Sequence, residues 1–375
     1  MDFRINDEQR QMRETAREFF EDREVLERAR ERIDGEAVVD DLWADLSEMD
    51  YPALTIPLEY NGLGDDVLYL SLLLEEAGRV ALPAPLPETL AFGAFVLDEL
   101  GTDDQKEEFL PAIADGEQRL SFALYESGQE SLPRDIQLAA APTDEGYRLD
   151  GTKTLVPFGK QVDTIVVAAR TGSGTGMDGI SLFLVDAERV DSEPQDTLDR
   201  TRPTTKLHFD DFTVDESALL GTEGEAGSVL QEAMDRYTVA TCAMTVGAAS
   251  RAVEMSSEYG SQREQFDKPI GQFQAVKHRI ADMWMATQAA RSLTYYAAWA
   301  LENDEEDAAR AVSEAKLFCS EQLTQVFADD IHNHGGMGFT SEHDGHIYFK
   351  QAKAWETFLG TPTEHLDRIA DSHDL

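Results

Sequence analysis

The feature that most constrains this chain is a double switch in hydrophobic period. From Asn6 to about Gly116, apolar residues recur at three- and four-residue spacing, as in Phe19/Phe20, Leu42/Trp43/Leu46 and Leu68/Leu72/Leu73. That spacing predicts successive amphipathic helices, broken at Pro52, Pro57, Asn61-Gly62 and Pro83 to Pro87. From about Leu120 to Leu220 the pattern turns to short alternating or β-branched runs: LSFALY, IQLAAA, YRLDGTKTLV, TIVVAAR, ISLFLV and TKLHFDDFTV. Short strands with no helices between them predict an antiparallel barrel or sandwich. After Glu223 helical stripes return, at Val229/Ala233/Tyr237/Ala240/Met244/Gly247, Val276/Ile280/Met283/Thr287 and Val312/Ala315/Cys319/Leu323/Val326, enough for a helix bundle. The expectation is an α+β chain of three domains: helical over 1–119, β over 120–222 and a helix bundle over 223–375. There is no repeat and no low-complexity linker.

Charge excludes several partners. The chain has 375 residues, with 74 Asp and Glu against 32 Lys and Arg, a net charge of −42. Such a field repels nucleic acid and anionic membrane. The acids are spread through segments that keep their apolar period, so they predict a folded chain with a heavily hydrated surface and not disorder. Molar salt, with a Debye length of about 3 Å, would screen the self-repulsion. The expectation is a protein of a high-salt cytoplasm. Cys242 and Cys319 stand far apart in helical patterns, which is no disulfide framework and fits a reducing compartment. The N-terminal stretch lacks the apolar core of a signal peptide, and no run approaches the ~20 apolar residues of a membrane span.

Two patterns invite a wrong reading. Gly174 to Gly179 matches G-x-G-x-x-G after a strand, yet the next segment, ISLFLV, is another strand. No helix N-terminus would receive a pyrophosphate, so a hairpin loop is expected. His332, His334, His343 and His346 lie close in sequence, as metal ligands would, but no Cys joins them; no metal site is expected.

Two further segments have the composition of a binding site. YGSQREQFDKPIGQFQ, from Tyr259 to Gln274, joins two long helices with an Arg, amides and aromatics at a Pro-Ile-Gly corner. Such a corner is either a plain helix hairpin or a grip on a phosphate and a flat ring. HGGMGFT, from His334 to Thr340, has three glycines in four positions, which permits close approach of backbone to a ligand or only a tight loop.

In this order and on this α-β-α plan, the segments resemble the acyl-CoA dehydrogenase family over essentially the whole chain. The family's Y-x-x-x-R-x-Q-F-G-x-P-I-x-x-F-Q is matched from Tyr259 to Gln274, with Asp267 in place of the glycine; its Q-x-x-G-G-x-G-(F/Y)-T-x-E is matched from His332 to Glu342; Tyr60 to Gly64 is similar to its early loop. The resemblance implies a helical N-terminal domain, a middle antiparallel β-barrel and a C-terminal four-helix bundle. It also implies FAD held between subunits of a tetramer. The reaction would be α,β-desaturation of an acyl-CoA thioester, with electrons passed to electron-transfer flavoprotein. A carboxylate would remove the α-proton while the flavin accepts hydride from the β-carbon. The likeness is closest to divergent members that often work as hetero-oligomers on bulky acyl chains.

Carried over residue by residue, the resemblance puts Arg263 and Gln265 on the ADP portion of FAD, and Phe266, Phe273 and Gln274 on its adenine side. His332, in place of a glutamine, and Gly335 and Gly336 approach that portion from a neighbouring subunit. At the ring end, Tyr125-Glu126-Ser127-Gly128 stands for the family's T-E-P-G, and Leu155-Val156-Pro157-Phe158 for its W-I-T-N. A hydroxyl is thereby lost near Tyr125, Leu155 replaces the Trp, and Pro157 has no N–H to donate.

Both usual positions of the base lack a carboxylate: Leu359 stands at one, and Tyr237, on the first bundle helix, at the other. Glu356, one helical turn before Leu359, is a candidate; Asp235, two residues before Tyr237, would point elsewhere. Three readings follow. The chain is an FAD-dependent dehydrogenase, alone or with a sister subunit; or a catalytically silent structural subunit that walls a partner's site; or an acyl-CoA-binding member without FAD.

Overall fold

A computed structural model describes residues 5–36, 39–128 and 136–373. Part of the expected β domain, residues 129–135, lies outside the described residues. The helices are α1 (Asp7–Asp22), α2 (Val25–Ile33), α3 (Val39–Ser47), α4 (Val67–Arg79), α5 (Phe95–Leu100), α6 (Asp103–Ala114), α7 (Gly227–Gln262), α8 (Gln274–Glu302), α9 (Ala308–Phe318), α10 (Thr324–His334), α11 (Gly345–Trp355) and α12 (Pro362–Asp371). The strands are β1 (Leu120–Ala123), β2 (Ala139–Thr143), β3 (Gly146–Pro157), β4 (Thr164–Arg170), β5 (Ile180–Asp186), β6 (Asp191–Gln195), β7 (Thr204–Asp215) and β8 (Leu219–Leu220), with a two-stranded ribbon of β9 (Glu264–Gln265) and β10 (Lys268–Pro269) between α7 and α8. Helix starts are written locally: Asn6 with Gln9, Thr102 with Gln105 and Thr361 with Glu364 each form a reciprocal capping box.

The chain forms two compact units. One contains α1, α2, residues 71–82 and everything from Thr238 onward; the other contains residues 34–70 and 83–237. The N-terminal helical segment is thus shared between the units, because each helix follows its apolar stripe and not its place in sequence.

In the helical unit, α7 supplies Val246, Ala249 and Ala252, and the later helices supply Val326, Phe327 and Tyr348, to one core. Two glycines set the approach of α4 to α7. A Cβ on Gly247 would lie 1.7 Å from the Glu75 carbonyl oxygen, and one on Gly78 would lie 2.0 Å from that of Met244. No larger residue fits either place. Beside this crossing, the buried Glu75 carboxylate accepts from Arg13 (2.9 Å), Arg291 (2.9 Å) and the Tyr295 hydroxyl (2.6 Å). Burial alone would raise its pKa, but the Arg291 and Arg13 guanidiniums outweigh it and hold the carboxyl below its ordinary range.

The other unit is built on an eight-stranded sheet with hydrogen-bonded order β6-β7-β3-β2-β4-β5-β8, β1 pairing with β4. Pairing is antiparallel except at β1–β4 and the single contact of β2 with β4, which are parallel. The strand-like runs appear as expected, and two short strands are added. β6, DSEPQ, is polar and carries Pro194, which only an edge strand tolerates. The core of this sheet includes Leu149, Ile165, Val167, Phe183, Leu207 and Phe209. The G-x-G-x-x-G run joins antiparallel β4 and β5 as a loop, with Arg170 donating to the carbonyls of Gly174 (2.8 Å), Gly176 (2.8 Å) and Asp178 (2.6 Å).

Candidate active site

The ribbon β9–β10 places the first group of expected FAD residues. Gln265 faces Lys268 in register, leaving a two-residue loop of Phe266 (φ 54°) and Asp267 (φ 62°). Two consecutive positive φ angles define the tight turn that matches the twist of a hairpin. Asp267 fills a position where glycine is the unstrained choice, and Asp tolerates it better than most side chains. The turn holds Phe266 87% exposed, 6.1 Å edge-on to Phe273, whose ring lies under the Lys268 ammonium at 4.3 Å. Arg263, Gln265 and Gln274 are exposed on the same corner. A guanidinium, two amides and an aromatic pair are thus gathered on one solvent-facing edge.

The second group ends α10. Gly335 has φ 60°, and a Cβ added at Gly335 or Gly336 would meet nothing within 4 Å. The backbone there is open to close approach by a ligand. His332 is exposed beside it. The two segments meet in one chain, since the Tyr259 ring lies 4.6 Å from that of His334. The charge and ring faces of the corner, and the open backbone of the glycines, are each of a kind that suits the ADP end of FAD.

Two of the four clustered histidines, His334 and His343, come together with Asp330, each offering a ligand atom within 4.8 Å of the others. Each makes a hydrogen bond within the protein, while Asp330 Oδ2 is buried without a partner. Ser256 donates to Asp330 (2.7 Å), His334 Nδ1 faces the Asp330 carbonyl (2.9 Å), and the Gly345 N–H donates to His343 Nδ1 (3.1 Å). The cluster ties α7, α10 and the start of α11 together; His332 and His346 stand outside it.

The ring-end residues sit on the sheet unit. Tyr125, just past β1, accepts the Thr154 N–H at 2.9 Å, which brings it beside Leu155 on β3. Leu155 has φ 54°, and its N–H donates to the Gln195 side chain at 2.6 Å. Pro157 and Phe158 are buried, the Pro157 carbonyl accepting from Ser121. Next to them Lys153, fully buried, donates to Glu126 (2.6 Å) and the Leu124 carbonyl (3.1 Å). Burial pulls its pKa down to about 8 against the pull of Glu126. Glu126 also accepts the N–H groups of Gln137 and Leu138, at 2.9 Å each, so its oxygens are occupied.

Leu359 is 2% exposed, in the left-handed region (φ 56°), its carbonyl facing His365 Nε2 at 2.9 Å. Glu356 caps α11 and pairs with Lys353. It lines a cavity of about 10 Å³ with Lys316, Cys242 and Cys319, room for about one water. The two cysteines, distant in sequence, come together in its wall. Asp235 is buried and takes up Gln231 at 3.3 Å.

Tyr237 is the informative position. It is fully buried, and its hydroxyl donates to Glu88 Oε1 at 2.9 Å. Arg202 donates to both that carboxylate oxygen and the phenol oxygen. Glu88 is 0% exposed and opens a π-helical turn, Glu88–Ala94, directly after Pro87. Burial works against the charge on Arg202, but Glu88 and the Tyr237 oxygen outweigh it and raise its pKa. Burial first, then Glu88, hold the Tyr237 phenol well above its ordinary value despite Arg202. Tyr237 therefore keeps its proton and Arg202 its charge. Phe122 packs edge-on to Tyr237 at 4.8 Å, and Phe92 lies against Phe122 at 4.3 Å. Three residues scattered over the sequence thus make one buried polar cluster in apolar walls. No local pattern marks Glu88, which follows a proline-rich breaker, or Arg202, in a loop.

Known proteins resemble this chain over most of its length. Residues 6–117 match the acyl-CoA dehydrogenase N-terminal domain, and residues 226–373 the acyl-CoA dehydrogenase C-terminal domain. The mitochondrial isovaleryl-CoA dehydrogenase of Arabidopsis thaliana is 31% identical over 345 residues, 89% of this chain and 82% of that protein. A subunit of the caffeyl-CoA reductase–Etf complex of Acetobacterium woodii is 27% identical, over 95% of this chain and 96% of its own length. The solved structure of butyryl-CoA dehydrogenase from Megasphaera elsdenii superposes with a TM-score of 0.92 at 27% identity, covering 100% of both chains. The chain belongs to the acyl-CoA dehydrogenase family.

Proposed function

We propose that this protein is an FAD-dependent acyl-CoA dehydrogenase that introduces an α,β double bond into an acyl-CoA thioester and passes the electrons to electron-transfer flavoprotein. The observation that carries the reading is the exposed corner of Arg263, Gln265, Phe266 and Phe273 together with the open Gly335–Gly336 backbone, on a chain that matches the family at both ends. FAD, when bound, supplies the hydride acceptor. The chain supplies the rest. Arg263 and Gln265 offer charge-assisted and amide hydrogen bonds to the diphosphate side, Phe266 and Phe273 offer ring faces, and buried apolar walls exclude water from the reacting carbons.

Assembly is part of the proposal. Phe266, Phe339, Trp284 and Met285, all in the helical unit, are more than half exposed and leave large apolar side chains open on its surface. A homo- or hetero-tetramer would cover it, with His332, Gly335 and Gly336 reaching a neighbour's FAD. The charge of −42 supports a high-salt cytoplasm as its setting, and no described helix is long and apolar enough to cross a membrane.

A second reading, a silent subunit beside a sister that carries the glutamate, is favoured by Leu359, a buried apolar residue at a usual base position. An anaerobic absorbance spectrum in high salt tests both. The dehydrogenase reading expects a yellow protein that bleaches with an acyl-CoA mixture; a protein that never bleaches, alone or with a sister subunit, overturns it.

A further inference from the structure

Glu88 has one carboxylate oxygen fully engaged and one empty. Oε1 receives the Tyr237 hydroxyl at 2.9 Å and the Arg202 guanidinium, while Oε2 is buried with no hydrogen-bond partner. A buried oxygen without a donor is unfavourable and rare in native structures, and it calls for an explanation. Resting on the dehydrogenase reading above, we infer that Glu88 is the catalytic base, that its Oε2 takes the α-proton of the thioester, and that Arg202 and Tyr237 are its positioning residues.

Four observations converge. The side chain at the first-helix base position, Tyr237, is itself hydrogen-bonded to Glu88, so a carboxylate reaches within one hydrogen bond of the place where some relatives carry theirs. The Arg202 guanidinium donates to the same oxygen as the Tyr237 hydroxyl, which fixes the carboxylate and leaves Oε2 as its open edge. Phe92, Phe122 and Phe158 wall the cluster with apolar rings. Glu88 also opens a π-helical turn, a geometry that departs from the regular helix and recurs at functional sites.

The competing carboxylates are placed differently. Glu126 is bound by Lys153 and two backbone N–H groups and Glu356 by Lys353; Asp199 gives Oδ1 to the N–H (3.0 Å) and hydroxyl (2.6 Å) of Thr201 and, like Glu88, keeps its second oxygen buried without a partner, but Glu88 is the carboxylate that takes the Tyr237 hydroxyl.

The step balances. The α-carbon–hydrogen bond breaks and an O–H bond forms at Glu88 Oε2; the electron pair left behind becomes the new C=C, and FAD, when bound, would supply the acceptor for the hydride lost from the β-carbon. The neutral carboxylic acid then returns its proton to solvent after product leaves. Arg202 and Tyr237 keep their protons throughout.

The test uses full-length protein, loaded with FAD, and reads proton removal separately from flavin reduction. Wild type, Glu88→Gln and Glu88→Asp are incubated in D2O with butyryl-CoA, isovaleryl-CoA and a ring-bearing acyl-CoA, and deuterium at the α-carbon is read by mass spectrometry beside anaerobic bleaching. Glu88→Gln should lower both rates by ~100-fold or more at unchanged flavin content, and Glu88→Asp should recover part of the loss. Exchange and bleaching in Glu88→Gln within threefold of wild type overturn the assignment while leaving the dehydrogenase reading intact. Wild type that neither exchanges nor bleaches, alone or with a sister subunit, overturns both. Should Glu88→Gln not fold, Glu88→Asp decides alone: a shifted pH profile of α-proton exchange supports the base, and a profile identical to wild type contradicts it.

Discussion

The exposed corner at β9–β10 and the buried cluster around Glu88 are opposites. At the corner, Arg263, Gln265, Phe266 and Gln274 face solvent, held by a hairpin turn whose geometry two residues dictate. In the cluster, Glu88, Arg202 and Tyr237 are 0%, 6% and 0% exposed and hold one another. Exposed ligand-facing groups contribute little to stability and must be specified by local sequence. Buried charges are stable only as a set, and the set is assembled by the fold. One region is exposed and held by local sequence, and the other is nearly complete in itself.

That contrast can be broken by mutation. Arg202→Met leaves the Glu88 carboxylate buried beside a single phenol, and it should destabilise the protein by ~3–5 kcal/mol, read as a shift in the denaturant midpoint. A loss below about 1 kcal/mol would mean that water reaches Glu88. Arg263→Ala should do the reverse. It should leave apoprotein stability within ~0.5 kcal/mol while weakening FAD binding about 10- to 100-fold, the loss of one charge-assisted interaction. Unchanged flavin affinity would remove Arg263 from the site.

A smaller effect separates a buried charge that is a liability from one that is held. The pKa of Lys153 falls to about 8 in the folded protein, below the ordinary 10.5. Between those values the unfolded chain binds the extra proton, so this residue makes stability rise with pH from about 8 to 10.5, by at most ~1.4 kcal/mol per pH unit. Lys153→Met should remove that slope. A slope that persists would belong to other groups.

The same contrast explains what was legible in the sequence. Helical stripes and the strand runs TIVVAAR and ISLFLV read directly, because period reports which face is buried. The corner was legible since Arg263, Gln265, Phe266 and Phe273 are neighbours in sequence, and Asp267 was recognisable as a replaced glycine. Polar β6 was missed because an edge strand carries little apolar signal. The sharing of N-terminal helices between two units was missed because each stripe names a buried face without naming what covers it. Glu356 drew notice by lying near Leu359 in sequence, whereas Lys353 already occupies it. Glu88 went unseen because its partners come from a loop and from α7, and only the tertiary fold puts a carboxylate beside Tyr237.

The most direct measurement is one anaerobic absorbance titration with acyl-CoA on wild type, Arg263→Ala and Glu88→Gln in high salt. The account predicts a yellow wild type that bleaches, an Arg263→Ala protein that retains little flavin, and a Glu88→Gln protein that is as yellow as wild type yet does not bleach. A Glu88→Gln protein that bleaches at the wild-type rate, or an Arg263→Ala protein that keeps full flavin, would contradict it.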